Sequence, residues 1–273
     1  LKACGRQVVP APLAETIVAG ALLAEAGLEV PEGSIAIAAP SNTSLALEGD
    51  ALSGALAKVA WGRQAGHVIA MAEHEIVVLP VAAAEVSADS SIGREPRDTL
   101  RFTKAAPVAA APLRDGAVMQ YGALMRAAQM AGAIESVLAM TVQYARERSQ
   151  FGKPIGSFQA IQHQLAVLAG HSAAATRAVD AAFDVLAAGG DSGFEAAVAK
   201  IRTGEAATAA ASIAHQTHGA IGFTDEHRLH YFTRRLWSWR SEFGSEAFWA
   251  ERLGARIAAY GADEFWPIVT AAG

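Results

Sequence analysis

The sequence predicts an α+β fold in three consecutive parts: a short helical segment over 1–33, an antiparallel β domain over 34–112 and an antiparallel helical bundle over 113–273. Three observations carry this reading. From Leu113 onward the apolar residues recur with a period near 3.6, the spacing of one helix face. Between about 34 and 108, short apolar runs alternate with Gly, Asp, Asn and Pro, the punctuation of strands and turns. Alanine is abundant and aromatic residues are 7% of the chain, which favours helices packed closely through small side chains.

The elements follow in order. A first helix is expected over about 12–27. Pro12 suits an opening helical turn, Leu13, Ile17, Ala21 and Leu22 are apolar at helical spacing, and Gly27 marks the stop. Strands are expected in the apolar runs 35–38, 45–47, 67–72 and 76–79. The stretch Leu47-Glu48-Gly49-Asp50-Ala51-Leu52-Ser53-Gly54 resembles two strands about a tight turn. The bundle opens with a helix over about 116–148. A second begins near Ser157, with Phe158, Ile161, Leu165 and Leu168 on one face and Val179, Phe183 and Leu186 further along. A third spans about 194–218, and two more follow Thr224 and Ser241. No internal repeat or low-complexity tract interrupts this plan.

Bulk properties narrow the function classes. With 273 residues, 52% of them hydrophobic, the chain has ample material for a buried core. Its net charge of −5 repels a phosphate backbone on average. Cys4 is the only cysteine, so no intrachain disulfide forms and a reducing compartment is expected. No run approaches the roughly 18 apolar residues of a membrane span, and no signal-peptide pattern opens the chain. A soluble, cytoplasmic protein is therefore expected.

Two segments carry chemistry. The first is Tyr144-Ala145-Arg146-Glu147-Arg148-Ser149-Gln150-Phe151-Gly152-Lys153-Pro154-Ile155, followed by Phe158-Gln159-Ala160-Ile161-Gln162. Arg148 closes a helix ahead of a Phe-Gly turn, which sets a guanidinium fork near the flat face of Phe151. The second is Gln216-Thr217-His218-Gly219-Ala220-Ile221-Gly222-Phe223-Thr224-Asp225-Glu226, with Leu229 and Arg234 beyond it. Gly219 lacks the Cβ that would keep backbone amides from phosphate oxygens. Together, in this order and at about this separation, the segments resemble the C-terminal signatures of the acyl-CoA dehydrogenase family. The resemblance is strong from about Leu113 to the end and weak over the β region. It implies an acyl-CoA dehydrogenase-like fold. It also implies that Arg148, Gln150, Phe151, Gln216 and Gly219 contact the ADP end of an FAD held mainly by a neighbouring subunit. Ala220 stands where the family usually has the second glycine of a pair.

The departures from the family are as informative. The family desaturates an acyl-CoA thioester between its α and β carbons. A carboxylate removes the α-proton, FAD accepts the hydride, and the base must reach the substrate geometrically. A gapless count from Gly222 and Arg234 places Phe243 at the base position, with Gly244-Ser245 where the family has Gly-Thr. Glu242 is adjacent, but one residue along a helix turns a side chain by about 100°, and it reads as a solvated charge. Relatives that carry the base on the first bundle helix would have it at Gly122, here followed by Ala123. No catalytic residue is expected, and Phe243 is expected to plug the vacated cleft. The flavin-ring segments are also altered: Ala38-Ala39-Pro40-Ser41-Asn42 replaces an acidic, glycine-rich stretch. Lys58-Val59-Ala60 replaces a Trp-Ile-Thr strand, and Trp61 reads as packing.

What serves a neighbour's FAD is kept and what would complete this chain's own site is lost. The resemblance therefore implies the shortened, non-catalytic partner in an α2β2-type dehydrogenase whose other subunit supplies the glutamate. The isolated chain is expected to be inactive and the acyl-CoA to carry a bulky group such as a steroid side chain. Rival readings are a structural subunit without cofactor and a nucleic-acid-binding relative. Arg228, Arg234, Arg235 and Arg240 form a basic run, but the net charge and the lack of a longer tract argue against nucleic acid. His215/His218 and His227/His230 are each spaced by three, yet polar packing at a helix corner accounts for them better than zinc, so no metal is expected. Trp237, Trp239, Phe243, Phe248 and Trp249 read as core or subunit interface.

Overall fold

The computed structural model describes residues 1–271; the last two residues of the expected third part lie outside them. The chain forms two compact units, one of residues 9–125 and one combining 1–8 with 126 onward.

The first unit opens with helix α2 (Leu13–Glu25), and the only earlier helix, α1 (Lys2–Arg6), belongs to the other unit. Pro12 O accepts from Thr16 N at 2.9 Å and from Thr16 Oγ1 at 2.7 Å, and Gly27 leaves the helix at φ +71°. The buried face is Ala14, Val18, Ala19, Leu22 and Leu23, whereas Leu13 and Ile17 are half-exposed. The expected Leu13–Ile17 face is thus corrected. Both sides of this helix are apolar, so periodicity alone does not choose between them.

Eight strands make two four-stranded sheets. The first has the order β1 (Ile35–Ile37), β4 (His67–Ala72), β5 (Glu75–Pro80), β8 (Ala109–Pro112). The second has the order β2 (Thr43–Glu48), β3 (Ala51–Ala60), β7 (Arg97–Ala105), β6 (Glu85–Ser87). The expected tight turn is present, with Glu48 paired to Ala51 across Gly49 and Asp50. Gly54 sits at φ +140°, where a Cβ would lie 1.9 Å from Ser44 O, so only glycine fits this crossing. One pairing departs from the antiparallel expectation: β1 runs parallel to β4. The β2–β3 hairpin lies in the connection between them, long enough for a parallel return. A shared core unites Ala36, Val68, Val77 and Leu79 of one sheet with Leu52, Leu56, Leu100 and Phe102 of the other. Buried Asp98 anchors the intervening loops by accepting from Arg63 N (2.7 Å), Arg63 Nη1 (3.1 Å) and Asp89 N (3.2 Å). Trp61 is 6% exposed and packs, as expected.

The second unit is the helical bundle. It comprises α3 (Ala117–Glu147), which begins in the first unit, then a two-residue ladder of β9 (Ser149–Gln150) and β10 (Lys153–Pro154). After these come α4 (Gln159–Ala187), α5 (Gly193–His218), α6 (Leu229–Ser241), α7 (Glu246–Tyr260) and the unforeseen α8 (Ala262–Ala271). Its core joins Met130, Ile134 and Val137 of α3 to Leu168 and Ala175 of α4. Ala206, Ala210 and Ala214 of α5 and Phe232, Leu236 and Trp239 of α6 complete it. Small residues let these helices approach closely. Of the face expected on α4, only Leu168 and Val179 are fully buried. Helix α1 packs on α3 glycine to backbone: a Cβ on Gly5 would meet Gln129 O at 1.8 Å, and one on Gly132 would meet Lys2 O at 2.0 Å. Arg6 pairs with Glu135, and Lys2 with Asp180 at 2.5 Å.

Gly132→Ala is therefore expected to destabilise the chain by about 1–3 kcal/mol through backbone overlap. Gly170→Ala, inside α4 with nothing within 4 Å of the new Cβ, should stabilise it by about 0.5–1 kcal/mol. Urea denaturation of both variants checks the contrast.

Candidate functional site

The end of α3 is built by a helix stop followed by a hairpin. Arg148 N donates to Tyr144 O at 2.9 Å, extending the helical pattern by one residue, and Ile155 N donates to Arg148 O at 2.8 Å. Between them β9 and β10 pair Gln150 with Lys153, leaving Phe151 and Gly152 as a two-residue turn at φ +51° and +80°. Two positive φ values define a type I′ turn. Glycine takes this conformation freely, but phenylalanine is strained there by about 1–3 kcal/mol. Phe151 gains little burial in return, since it is 92% exposed, with the Phe158 ring edge-on at 6.1 Å between centres. Lys153 Nζ lies 4.4 Å from the Phe158 ring centre. Arg148 and Gln150 are exposed beside the turn. A guanidinium, an amide and an exposed aromatic ring thus lie on this short hairpin and the residue that leads into it.

The end of α5 carries the second expected group. Gln216 and Gly219 are exposed. Gly219 caps the helix at φ +62°, and its N–H is donated to His215 O. A Cβ at Gly219 would touch nothing within 4 Å, so the backbone angle rather than space favours glycine there. At Gly222 space decides, because a Cβ would lie 2.9 Å from His218 Cβ.

An aromatic stack ties the two ends together. Tyr144, in the last turn of α3, stacks on His218 with centroids 4.5 Å apart, and His227 tilts against His218 at 4.6 Å. Arg148 follows one turn after Tyr144 and Gly219 directly follows His218, so both expected segments occupy one end of the bundle. An open groove of about 590 Å³ lies there, lined by Met140, Gln143, Tyr144 and Glu147 of α3 and by Glu226, His227 and Arg228. His218 is 3% exposed and its Nδ1 lies 2.7 Å from Ala214 O, which makes Nδ1 the protonated nitrogen. Burial holds the His218, His215 and His227 imidazoles below their usual value, and His227 and His215 add repulsion at His218. His215 Nε2 is 3.1 Å from Thr233 Oγ1 while its ring stacks on Phe223 at 4.5 Å. Among the described residues no three His, Cys, Asp or Glu side chains are grouped as a metal would require.

The expected base positions lie elsewhere. Gly122 is a buried residue of α3 within the first unit. Phe243 is 6% exposed, has φ +53°, and its carbonyl accepts from Trp249 Nε1 at 2.9 Å. Glu242 is not the solvated charge its sequence position suggested. Its Oε2 accepts from Arg126 Nε at 2.7 Å and its Oε1 from Ser238 Oγ at 3.2 Å. The reason is the Arg126 guanidinium, 1% exposed beside Trp239 and donating to Gln129 Oε1 at 2.5 Å. A buried cation must be answered by a negative group or by carbonyl dipoles, and Glu242 supplies the former. Lys200 of α5, fully buried, donates to Arg240 O at 2.6 Å and Gly244 O at 2.5 Å. Burial pushes its pKa down to about 8, against the pull of Glu246 and Glu242. Neither Arg126 nor Lys200 was singled out from the sequence; each sits among helical apolar residues with no local signal of its partner.

Known proteins can be set beside this geometry. The C-terminal domain of acyl-CoA dehydrogenases matches residues 116–258, more than half of the chain. Over 262 residues the chain is 30% identical to the acyl-CoA dehydrogenase FadE34 of Mycobacterium tuberculosis, covering 92% of this chain and 36% of that one. It is 40% identical over 121 residues to the acyl-CoA dehydrogenase IpdE2 of the same organism, 44% of this chain and 36% of the relative. The chain thus spans 36% of the length of each. Among solved structures, the ChsE4–ChsE5 complex from Mycobacterium tuberculosis superposes with a TM-score of 0.86 at 23% identity, over 96% of this chain and 79% of that chain. The Tcur3481–Tcur3483 steroid ACAD gives 0.84 at 25% identity, over 94% and 79%. By its matched C-terminal domain, its fold and its two signature segments, the chain belongs to the acyl-CoA dehydrogenase family.

Proposed function

We propose that this chain is the non-catalytic subunit of a heteromeric, FAD-dependent acyl-CoA dehydrogenase. In that complex an acyl-CoA thioester is desaturated between its α and β carbons. The observation that carries this reading is the state of the base positions. Phe243 and Gly122 offer no proton acceptor, and Glu242 is held by Arg126. A carboxylate engaged by a buried guanidinium and by Ser238 loses its reach, so it is ill suited to taking a proton from substrate.

The hairpin fits the nucleotide tail of FAD. Arg148 supplies a fork for the diphosphate, Gln150 a polar contact, and exposed Phe151 a stacking face. Gln216 and Gly219, at the same end of the bundle, complete the surface. When bound, FAD supplies the two-electron acceptor of the desaturation; the residues of this chain bind and orient its ADP end. The glutamate and the contacts to the flavin ring come from the partner subunit. Two solved relatives are named as pairs of chains, and one is called a steroid ACAD. These names support an assembly of two kinds of subunit, to which we assign the α2β2 form, and an acyl-CoA with a bulky, steroid-like acyl group. No described helix is long and apolar enough to cross a membrane, and with one cysteine the chain suits the reducing cytoplasm.

The decisive experiment purifies the chain alone and together with a glutamate-bearing dehydrogenase subunit, then counts FAD and assays acyl-CoA oxidation. Stoichiometric FAD and turnover in the chain alone would sink the reading. In the complex, Arg148→Ala should weaken FAD retention about ten- to a hundredfold; unchanged occupancy would instead support a scaffold that binds no cofactor. Phe151→Gly should stabilise the chain by about 1–2 kcal/mol by relieving the positive φ, while the complex loses FAD faster. Phe243→Glu should gain no activity, because the corner that carries it is fixed by Lys200 and Arg126.

The corner bearing Gln216 and Gly219 should also weaken in acid. The folded values of His215, His218 and His227 lie below the ordinary value of 6.5, so the unfolded chain takes up protons first as pH falls through that range, and stability is lost. The denaturation midpoint should drop between about pH 7 and pH 5, and His218→Phe should flatten that slope.

A further inference from the structure

Lys153 stands on the same hairpin as Arg148 and Gln150, and the ladder fixes which way it faces. Gln150 pairs with Lys153 and Ser149 with Pro154, and the bond from Ile155 N to Arg148 O at 2.8 Å continues that register by one pair. Residues directly opposite one another in an antiparallel pair share a face, as do residues two apart along one strand. Arg148, Gln150 and Lys153 therefore project from one side of the hairpin.

The hairpin carries charge of one sign only. Arg148 and Lys153 are the charged residues between 148 and 158, and neither forms an ion pair among the described residues. Glu147, which precedes Arg148 in the chain, accepts from Gln143 Nε2 one turn back along α3. The ammonium of Lys153 is also held in place, with Nζ 4.4 Å from the centre of the Phe158 ring. A cation seated over an aromatic face samples fewer rotamers, so it gives up less freedom on meeting an anion. The diphosphate bridge of a dinucleotide bears one negative charge on each phosphate. A single guanidinium fork answers one of them and leaves the other for a second cation.

We propose that Lys153 is a further cofactor-binding residue, whose ammonium answers the second charge of the FAD diphosphate beside the Arg148 fork. This rests on the reading of the hairpin as the surface that holds the ADP end of FAD. An ammonium is a point charge on a flexible stem, whereas a guanidinium is a planar fork. Lys153 thus contributes attraction that salt screens, and Arg148 contributes orientation as well.

The test uses the complex of the full chain with the glutamate-bearing subunit. Release of FAD from the loaded complex is followed by flavin fluorescence across a series of salt concentrations, and the flavin-stripped complex is titrated with ADP and with adenosine. Lys153→Met keeps an apolar stem on Phe158 and removes the charge. It should speed FAD release and weaken ADP binding about three- to tenfold at low salt, flatten the salt dependence of both, and leave adenosine binding unchanged. Lys153→Arg should stay near wild type, and circular dichroism melts confirm that each exposed-residue variant still folds. If Arg148→Ala loosens FAD and Lys153→Met does not, the Lys153 assignment falls while the cofactor-surface reading stands. If neither variant alters FAD release or ADP binding, both fall. Equal weakening of ADP and adenosine by Lys153→Met would make the lysine a support for the hairpin and overturn the proposal.

Discussion

A cation buried in a protein must be answered by a negative group or by carbonyl dipoles, and this constraint governs the corner between α6 and α7. Arg126 comes in from α3 and Lys200 from α5. Glu242 and the carbonyls of Arg240 and Gly244 close around them. The backbone there bends sharply, with Phe243 at φ +53° and Gly244 at φ +91°, and a Cβ on Gly244 would meet Phe248 Cδ1 at 2.5 Å. Lys200 caps the carbonyl end of α6, where a positive charge also complements the helix dipole. The corner thereby holds α3, α5 and α6 in register.

The opposite tendency governs the other end of the bundle. The hairpin after α3 retains a phenylalanine in a conformation that disfavours it, displayed to solvent with almost no contacts. Strain without compensating burial is a common mark of a surface shaped for a ligand rather than for stability. The Tyr144–His218–His227 stack holds this hairpin's helix against the end of α5, using imidazole rings as aromatic plates. One end of the bundle is thus fixed by buried charge, and the other displays a strained aromatic residue to solvent. The proposed division of labour between two subunits would account for this asymmetry.

The sequence by itself determined the class of fold, the order of its parts and the family, because hydrophobic period and turn chemistry are local. The Gly49-Asp50 turn and the termini of α3 and α5 follow from nearby residues alone. It also determined that neither expected base position holds a carboxylate, which is a matter of identity rather than placement. Strands such as β8, made of alanines and one proline, have little intrinsic strand preference and exist because β5 offers an edge to pair with. The buried side of α2 was equally illegible, since both of its sides are apolar. Only the tertiary structure decided that Glu242 is bound rather than free, because its partner Arg126 lies far away in the chain. It alone brought Tyr144 against His218. Contacts between residues distant in sequence depend on how helices cross, and no local pattern encodes that crossing.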